Sequence, residues 1–481
     1  MSQDKLLQYV HRGQETPEKR PVDQRTHDFK EIVKTYLSDK ASGQSGRCAQ
    51  CGVPFCQIHC PLSNNIPDWL ALTAQGRLEE AYHLSAATNY FPEVCGRICP
   101  QDRLCEGGCV IEQAGHGYVT IGSVEKFITE HAFEMDWIKP ITPSFERKQK
   151  IAIIGAGPAG LAAGIFLRGH GYQIHIFDRY DRAGGLLIYG IPSFKLEKSV
   201  ITRRQKLLEA SGFHFHFGRD VKRDFADIKK HHAAVVIATG VYKNKLLGIE
   251  TNLKHIIPAL PYLSRENKLD LKDADPDPEL SAKHKTVAVI GGGDTAMDCV
   301  RTAVRQGAKK VYCLYRRNRA NMPGSMREVQ HAEEEGVEFL WLTAPQNFQG
   351  QTEVEKITTI NMALSDKNNS GRQDVVAVKG SETTITANMA ILALGFDAEN
   401  PNQLFGVKDL CLTPRGTLQT DPHGRVLYKD SDQPYPKIYA GGDIVRGASL
   451  VVWAIKDGMA VGQTIHHDLE KQHTATNKKA A

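Results

Sequence analysis

The stretch that decides the fold is IAIIGAGPAGLAAGIFLRGHGYQIHIFDR, residues 151–179. An apolar run leads into Gly155, Gly157 and Gly160, spaced G-x-G-x-x-G, and a second apolar run follows. In such a turn the first glycine permits the sharp bend, the second lets a pyrophosphate approach, and the third lets helix and strand pack closely. The stretch therefore predicts a strand, a turn, a helix and a second strand that together bind a dinucleotide.

A second copy of the pattern lies at residues 287–317, VAVIGGGDTAMDCVRTAVRQGAKKVYCLYRR. The first copy ends its second strand in Asp178, whereas this copy ends it in Arg316 and Arg317. A carboxylate at this position binds a free ribose hydroxyl, while arginine suits the 2′-phosphate of NADP. The pair of sites predicts FAD and NADPH, which together carry out hydride transfer to a flavin.

Further stretches complete these two predicted sites. Apolar strands end in glycine at VVIATG (235–240) and AILALG (390–395), and GGLLIYGIPSFKL (184–196) and IYAGGDIVRG (438–447) could bring backbone to the flavin. The predicted FAD-binding residues are Gly155, Gly157, Ala159, Gly160, Asp178, Gly185, Leu186, Thr239, Gly240, Gly442, Asp443 and Val451, with Gly190, Ile191, Pro192 and Lys195 near the flavin. The predicted NADPH-binding residues are Gly291, Gly292, Gly293, Asp294, Thr295, Arg316, Arg317, Leu394 and Gly395. No catalytic nucleophile or base is expected, because the cofactors carry the chemistry.

Eight of the eleven cysteines lie between Cys48 and Cys109. The runs CAQCGVPFCQIHCP (48–61) and CGRICPQDRLCEGGC (95–109) have spacings of C-x2-C-x4-C-x3-C and C-x3-C-x5-C-x3-C. Zinc sites typically pair two-residue gaps, and disulfides are rare in cytosolic proteins. Iron–sulfur ligation is therefore favoured.

The bacterial ferredoxin pattern gives three cysteines to one cluster and sends the fourth, which precedes proline, to another. By this pattern Cys48, Cys51 and Cys56 hold one cluster and Cys60 serves a second. Eight cysteines suffice for two [4Fe–4S] clusters. Alternatively Cys95 is a packed thiol, and the second cluster then needs a ligand other than sulfur.

The composition is typical of a multidomain globular protein. The chain has 481 residues, 41% of them hydrophobic, and a net charge of +5 that is too balanced to predict nucleic-acid binding. We expect no secretory signal and a cytoplasmic location, since the opening MSQDKLLQYVHRGQE has no apolar core. We expect no membrane span, since the most apolar long stretch, residues 151–167, is broken by four glycines and a proline. An amphipathic helix is predicted in the N-terminal arm from the spacing of Phe29, Ile32, Val33, Tyr36 and Leu37. The predicted divisions are an arm (1–47), an iron–sulfur domain with linker (48–149), a FAD domain in two parts (150–280 and 397–470), an NADPH domain (281–396) and a polar tail (471–481).

Several motifs resemble those of a known family. CPQDRLCEG, GIPSFKLEK, GGGDTAMDCVRTAVRQGAKKV, NMPGS and AGGDIVRG are together similar to the small (beta) subunits of NADPH-dependent glutamate synthases. The resemblance runs from about residue 20 to residue 465. It extends to FAD/NAD(P)-dependent iron–sulfur electron-input modules such as that of dihydropyrimidine dehydrogenase. It implies an α/β fold of two Rossmann-like domains, thioredoxin-reductase-like with the NADP domain inserted in the FAD domain, preceded by an α-helical iron–sulfur domain.

The resemblance also implies ligands and a role. One cluster would take Cys48, Cys51, Cys56 and Cys109, and the other Cys60, Cys99, Cys105 and Glu125, with Cys95 as the alternative to Glu125. The implied activity is oxidation of NADPH at FAD, with electrons passing through two [4Fe–4S] clusters to a large (alpha) subunit. That subunit makes L-glutamate from L-glutamine and 2-oxoglutarate. The alternative is a paralogous oxidoreductase that serves ferredoxin or another acceptor.

Overall fold

The protein is described by a computed structural model that covers residues 7–367 and 373–480. Its helices are α1 (Gln8–His11), α2 (Val22–Arg25), α3 (Ser38–Ser45), α4 (Phe55–His59), α5 (Ile66–Ala74), α6 (Leu78–Ala86), α7 (Pro92–Ile98), α8 (Val110–Gln113), α9 (Ile121–Glu134), α10 (Pro158–Gly169), α11 (Leu186–Tyr189), α12 (Lys198–Ala210), α13 (Phe225–His231), α14 (Ala259–Asp270), α15 (Asp294–Arg305), α16 (Met326–Glu334), α17 (Pro401–Phe405), α18 (Asp443–Arg446) and α19 (Val451–Ala480). Its strands are β1 (Lys150–Ile154), β2 (Gln173–Phe177), β3 (Phe213–His216), β4 (Ala234–Ile237), β5 (Lys243–Asn244), β6 (Ile256–Pro258), β7 (Thr286–Ile290), β8 (Lys310–Tyr315), β9 (Glu338–Trp341), β10 (Thr343–Gln349), β11 (Lys356–Lys367), β12 (Gln373–Ala377), β13 (Thr383–Thr386), β14 (Met389–Leu392), β15 (Phe396–Asp397), β16 (Arg425–Leu427) and β17 (Pro434–Ala440).

The first dinucleotide-type unit is built on a six-stranded sheet in the order β16-β17-β4-β1-β2-β3. All pairs are parallel except β16 with β17. Residues on β1 such as Ile151 and Ile153 are completely buried, because helices cover both faces of the sheet. Its strands come from residues 150–237 and 425–440, so this unit, the predicted flavin domain, is formed from two separate segments of the chain.

The second unit lies between those two segments and is a five-stranded parallel sheet in the order β6-β14-β7-β8-β9. Its first strand, Ile256–Pro258, pairs with β14, so this domain begins well before the predicted boundary at residue 281. That boundary is wrong because β6 has only three residues and ends in proline, and so gives almost no periodic signal. The two-stranded ribbon of β5 and β15 marks where the chain crosses between the sheets.

An antiparallel sheet of β10, β11, β12 and β13 is inserted between β9 and β14. This sheet was not predicted from the sequence, because strands such as β10 (TAPQNFQ) and β13 (TTIT) contain few apolar residues. A further difference concerns the predicted polar tail, residues 471–481. Helix α19 continues to Ala480, so this part of the chain extends a helix.

Helices α3 to α9 form the predicted helical domain, packed around Trp69, Leu70, Val124 and Ile128. The domain contacts the flavin domain through Glu93 at the start of α7. Its buried carboxylate accepts two hydrogen bonds from Arg204, at 2.7 and 2.9 Å. This bidentate pair fixes the helical domain beside the first sheet.

The predicted amphipathic helix over residues 29–37 is wrong. The backbone there is irregular and not helical, and Val33 forms an antiparallel bridge with Lys19. The Ile32 N–H donates to the Phe194 carbonyl of the flavin domain, at 3.2 Å. The apolar residues thus pack against different partners, and these tertiary contacts override the helical spacing.

No helix within residues 7–367 and 373–480 has the length and apolarity needed to cross a membrane.

Candidate functional site

The first glycine turn leaves an open cradle at the start of helix α10. Gly155 has a φ of +109°, and a Cβ there would lie 2.3 Å from the Ala238 carbonyl oxygen, so only glycine fits. At Gly157, by contrast, a Cβ would meet nothing within 4 Å. Because α10 begins with Pro158 directly after this glycine, its free N–H groups and positive dipole end face that space. The turn therefore fits a pyrophosphate.

Asp178 stands beside this cradle at the end of β2. Its carboxylate accepts hydrogen bonds from the Ala156 N–H at 2.7 Å and the Tyr180 N–H at 2.8 Å. Burial raises the pKa of this carboxyl, although these bonds oppose the rise. Asp178 lines both a cavity of about 260 Å³ and a smaller one of about 70 Å³. The two cavities thus lie on either side of the Asp178 carboxylate, an arrangement that suits a molecule as long as a dinucleotide.

Most of the predicted flavin-binding residues line the larger cavity. They are Gly155, Gly157, Ala159, Asp178, Gly185, Leu186, Ile191, Lys195, Thr239, Gly240, Asp443 and Val451. The predicted residues Gly160, Gly190, Pro192 and Gly442 do not line it. Gly160 instead packs behind the turn, where a Cβ would lie 2.0 Å from the Gly155 oxygen, and Gly442 packs on Ala159. These two glycines support the site without bordering it.

The second glycine turn faces the same cavity. Asp294 and Thr295, at the start of α15, line it. Gly291, Gly292, Gly293, Leu394 and Gly395, all in the predicted NADPH site, lie near it at the ends of β7 and β14 without lining it. The cavity thus joins the two dinucleotide units.

Arg316 and Arg317 follow β8, next to the second turn. The preceding Tyr315 ring packs against Gly292, where a Cβ would lie 2.3 Å from a ring carbon. Arg316 is exposed, and the Arg317 Nε is buried without a hydrogen-bond partner among the described residues. Neither arginine lines the cavity. An unsatisfied guanidinium nitrogen beside a nucleotide turn fits a phosphate.

A buried ion pair joins the flavin and nucleotide domains at the cavity wall. Lys195 Nζ lies 2.9 Å from Asp298 Oδ1 and 3.6 Å from Glu328 Oε2. Lys195 and Asp298 both line the cavity. Burial raises the pKa of Asp298 to about 6 despite the opposing lysine. The sequence indicated Lys195 but gave no reason to choose Asp298, which occupies an ordinary helix position.

The cysteines of the helical domain separate into two groups. In the outer group, burial together with nearby Cys48, Cys109 and Cys51 raises the pKa of Cys56 to about 12. Burial, with smaller contributions from Cys109 and Cys51, also raises the pKa of Cys48 to about 11. These four cysteines are the set predicted for one cluster. They destabilise each other as thiolates, and bound iron would relieve that.

The inner group surrounds a cavity of about 30 Å³. Cys60, Cys99, Cys105, Glu125 and also Cys95 line it. Glu125 is buried, and its Oε1 accepts hydrogen bonds from the Asn89 amide at 3.1 Å and the Asn64 amide at 3.4 Å. Burial raises the pKa of Glu125 to about 8. Both candidates for the eighth ligand therefore border the inner group.

Asn89 contacts both candidates for the eighth ligand, Glu125 and Cys95. Its amide nitrogen donates to Glu125, while its Oδ1 is 3.7 Å from Cys95 Sγ. Cys95 also hydrogen bonds with Cys99, and this bond and burial raise its pKa well above the usual value. Among residues 7–367 and 373–480, no three His, Cys, Asp or Glu side chains could together hold a single metal ion. The fit to clusters rests on the donor set: soft thiolates with one carboxylate.

One thin wall separates the inner group from the flavin cavity. Cys99 lines the cavity of the inner group, and its chain neighbours Ile98 and Pro100 line the flavin cavity. Sequence reasoning missed Ile98 and Pro100 as flavin-site residues, because nothing in their spacing relates them to the glycine turns. The only signal was the short CP pair inside CPQDRLCEG. The inner cysteine group therefore lies next to the flavin cavity.

Two family models match successive parts of the chain. Residues 25–137 match a family model described as domain II of dihydropyrimidine dehydrogenase, with a 4Fe-4S cluster. Residues 149–458 match the model of the pyridine nucleotide-disulphide oxidoreductases. These matches confirm a cluster domain followed by an FAD/NAD(P) oxidoreductase domain.

Individual proteins are similar to the chain over most of its length. A solved structure of FprA from Mycobacterium tuberculosis in complex with NADPH has a TM-score of 0.57 at 19% identity, over 69% of this chain and 86% of that one. This likeness supports the fold. The chain is 53% identical to the glutamate synthase [NADPH] small chain of Azospirillum brasilense, over 97% of each. It is 41% identical to that of Escherichia coli K12, over 98% of this chain and 100% of that one. The chain therefore belongs to the family of glutamate synthase [NADPH] small chains.

Proposed function

We propose that this chain is the electron-input subunit of a glutamate synthase. It oxidises NADPH at FAD and passes the electrons through two [4Fe–4S] clusters to a large subunit, which makes L-glutamate from L-glutamine and 2-oxoglutarate. The observation that carries the proposal is the shared wall, in which Cys99 borders the inner sulfur group while Ile98 and Pro100 border the flavin cavity. FAD, when bound, accepts a hydride and releases electrons singly. Consecutive residues of one short segment, 98–100, therefore border both sites.

The protein's own part in this reaction is binding and orientation. The free N–H groups at the start of α10 bind one pyrophosphate, and the Gly291–Asp294 turn binds the other. Arg316 and Arg317 select the 2′-phosphate. The Lys195–Asp298 pair holds the nucleotide domain against the flavin cavity, so that the two dinucleotides meet. No residue needs to act as a nucleophile or base.

Cys48, Cys51, Cys56 and Cys109 would hold the outer cluster, and Cys60, Cys99, Cys105 and Glu125 the inner one. The inner group is buried against the flavin domain, since Cys95 and Cys99 belong to the same apolar core as Ile151 and Ile153. This burial keeps water from the wall between the sites. The clustered thiols also suit a reducing compartment, which supports a cytoplasmic location.

Four exposed apolar side chains lie close in sequence to the outer-group cysteines, and we define them as the apolar patch: Val53, Phe55, Ile58 and Val110. Their exposed fractions are 56%, 43%, 62% and 37%. Each lies within three residues of an outer-group cysteine, and residues 48–67 contain no Asp, Glu, Lys or Arg. Uncharged apolar surface is typical of the centre of a protein interface. This patch is where the large subunit would dock and receive electrons.

Anaerobic purification followed by NADPH titration tests the proposal. The expected protein contains flavin, iron and sulfide, loses its flavin absorbance on NADPH addition, and co-elutes with a large amidotransferase-like chain. Val53→Asp with Ile58→Asp should abolish co-elution while flavin bleaching stays at the wild-type rate. Flavin that NADPH does not bleach would refute electron input. Co-elution with a ferredoxin in place of the large chain would instead support the paralogous oxidoreductase.

A further inference from the structure

Asp102 of the iron–sulfur domain caps a helix of the nucleotide domain. Its Oδ2 accepts a hydrogen bond from the Met326 N–H at 3.0 Å, and its Oδ1 accepts one from the Ser325 hydroxyl at 2.9 Å. Met326 begins α16, and Ser325, at the N-cap position, makes no capping bond with its own side chain. The carboxylate that satisfies this helix end therefore comes from another domain.

Asp102 lies on the loop that carries two inner-group cysteines, Cys99 and Cys105. Arg327 of α16 adds to the same contact, since its guanidinium donates to the Cys99 carbonyl at 3.5 Å and to Gln101. The guanidinium also lies 3.6 Å from the buried Glu106 carboxylate. The start of α16 is thus bonded along the whole loop between the two cysteines.

The other side of the same segment is bonded to the nucleotide turn. The Ser325 N–H donates to Asp294 Oδ1 at 2.9 Å, and the Gly324 N–H donates to the Gly292 carbonyl at 3.0 Å. Residues 324–327 therefore form a bridge with the predicted NADPH turn on one side and the inner-cluster loop on the other. Asp102 is the carboxylate that caps α16 at the cluster end of this bridge, where Arg327 and Glu106 also lie.

We propose that Asp102 is a positioning residue through which dinucleotide occupancy and the redox state of the inner cluster affect each other. A bound dinucleotide adds phosphate charge at one end of the bridge. An electron on the cluster adds negative charge at the other end, beside the Asp102 carboxylate. A bound dinucleotide therefore makes the cluster harder to reduce, and a reduced cluster weakens binding of the dinucleotide. By thermodynamic linkage, the two changes in free energy are equal. NADP⁺ is then released more readily once an electron has reached the inner cluster. This inference rests on the proposed function.

The coupling is measured with 2′-phospho-ADP-ribose, which has the phosphates of NADP⁺ but no nicotinamide and so cannot exchange hydride. The midpoint potential of the inner cluster is determined by EPR-monitored titration, with and without a saturating concentration of this probe. The EPR signal missing from Cys99→Ala identifies the inner cluster. The wild type should show at least a fivefold coupling, which corresponds to a decrease of about 40 mV for a one-electron couple.

Two variants remove the bridge from opposite sides. Asp102→Asn should lose most of the decrease in potential, and Ser325→Ala, in the nucleotide domain, should lose a similar part. Glu79→Gln removes an exposed carboxylate of the same helical domain and should keep the full decrease. Iron, sulfide and flavin contents equal to wild type show that each variant is folded, and Ser325→Ala decides the matter if Asp102→Asn loses its cluster.

A wild-type potential unchanged by the probe, or both variants retaining the wild-type decrease, would overturn the coupling. Absence of the clusters, or of any binding of the probe, would instead contradict the proposed function itself.

Discussion

Val451 and Val452 are adjacent at the start of helix α19, yet they border different cavities. Val451 lines the flavin cavity and Val452 lines the cavity of the inner sulfur group. Ile98 and Cys99 do the same from the iron–sulfur domain. Two pairs of consecutive residues thus form the wall from its two sides, which is the basis of the electron path proposed above.

The eighth cluster ligand can be decided by iron content. Glu125→Ala should lose the inner cluster, which lowers the iron from about eight to about four per chain. Cys95→Ser should retain both clusters, because Cys95 is already hydrogen-bonded to Cys99 and lies beside the Asn89 oxygen. Iron analysis with EPR checks both variants. Loss of a cluster in Cys95→Ser but not in Glu125→Ala would reverse the assignment.

Nucleotide preference should depend on the two arginines after β8. Arg316→Glu with Arg317→Ala removes the groups that would bind the 2′-phosphate, each charged hydrogen bond contributing about 1.5–3 kcal/mol. The kcat/KM for NADPH should then fall by about 100-fold or more, while that for NADH is unchanged or rises. Flavin reduction by each nucleotide is the measurement. An unchanged ratio would show that the arginines are only a solvated charge pair.

The buried Glu93–Arg204 pair should be important for docking of the iron–sulfur domain. Glu93→Ala leaves the Arg204 charge buried without its partner, which should cost about 3–5 kcal/mol. Glu146→Ala is the matched control, because it breaks an equally bidentate pair with Arg168 whose carboxylate side chain is 60% exposed. The control should show little loss in thermal unfolding. Equal melting temperatures for the two variants would contradict the argument.

His175, on strand β2 of the flavin-domain sheet, should make stability depend on pH. Burial and the nearby His214, His232, His216 and Lys150 together lower the pKa of His175 to about 4. The unfolded chain binds this proton near pH 6.5. The folded protein resists it, so stability is complete above pH 6.5 and is lost as the pH falls toward 4.

Because His175 is only about half buried, solvent screening reduces the expected loss to roughly 1 kcal/mol. Thermal unfolding at pH 7.5 and pH 5 should show a smaller difference for His175→Gln than for the wild type. His423→Gln, at an exposed position, should behave as the wild type does. A wild-type melting temperature that does not change between these pH values would refute the prediction.

The glycine turns could be predicted because glycines at fixed spacing follow an apolar run, and the division of Cys48, Cys51 and Cys56 from Cys60 because it follows the ferredoxin spacing, while the other cluster ligands were implied only by the family resemblance. Gly155 has to be glycine because its φ is +109° and a Cβ there would lie 2.3 Å from the Ala238 carbonyl oxygen, whereas Gly157 leaves open space in front of the turn. The wall of Ile98 and Val452 could not be predicted, since those residues are ordinary apolar side chains that meet across two domains. The same applies to Asp102, whose partners Ser325 and Met326 lie more than two hundred residues away.

Misassigned elements have the same physical cause. Residues 29–37 have helical spacing, but Ile32 and Val33 pair instead with distant backbone. Strand β6 has only three residues, and its place in the second sheet is set by pairing with β14. Tertiary contacts decided both elements, and these leave no periodic pattern in a single sequence.

The most direct test of the central claim is rapid-freeze EPR after mixing anaerobic protein with NADPH. The inner group is predicted to be the first acceptor of electrons from the flavin. In Cys99→Ala, which should lack the inner cluster, the flavin should bleach while the outer cluster stays oxidised long after the flavin is fully reduced. In Cys48→Ser, which lacks the outer cluster, the inner cluster should be reduced at the wild-type rate. Reduction of the outer cluster at the wild-type rate in Cys99→Ala would contradict the account.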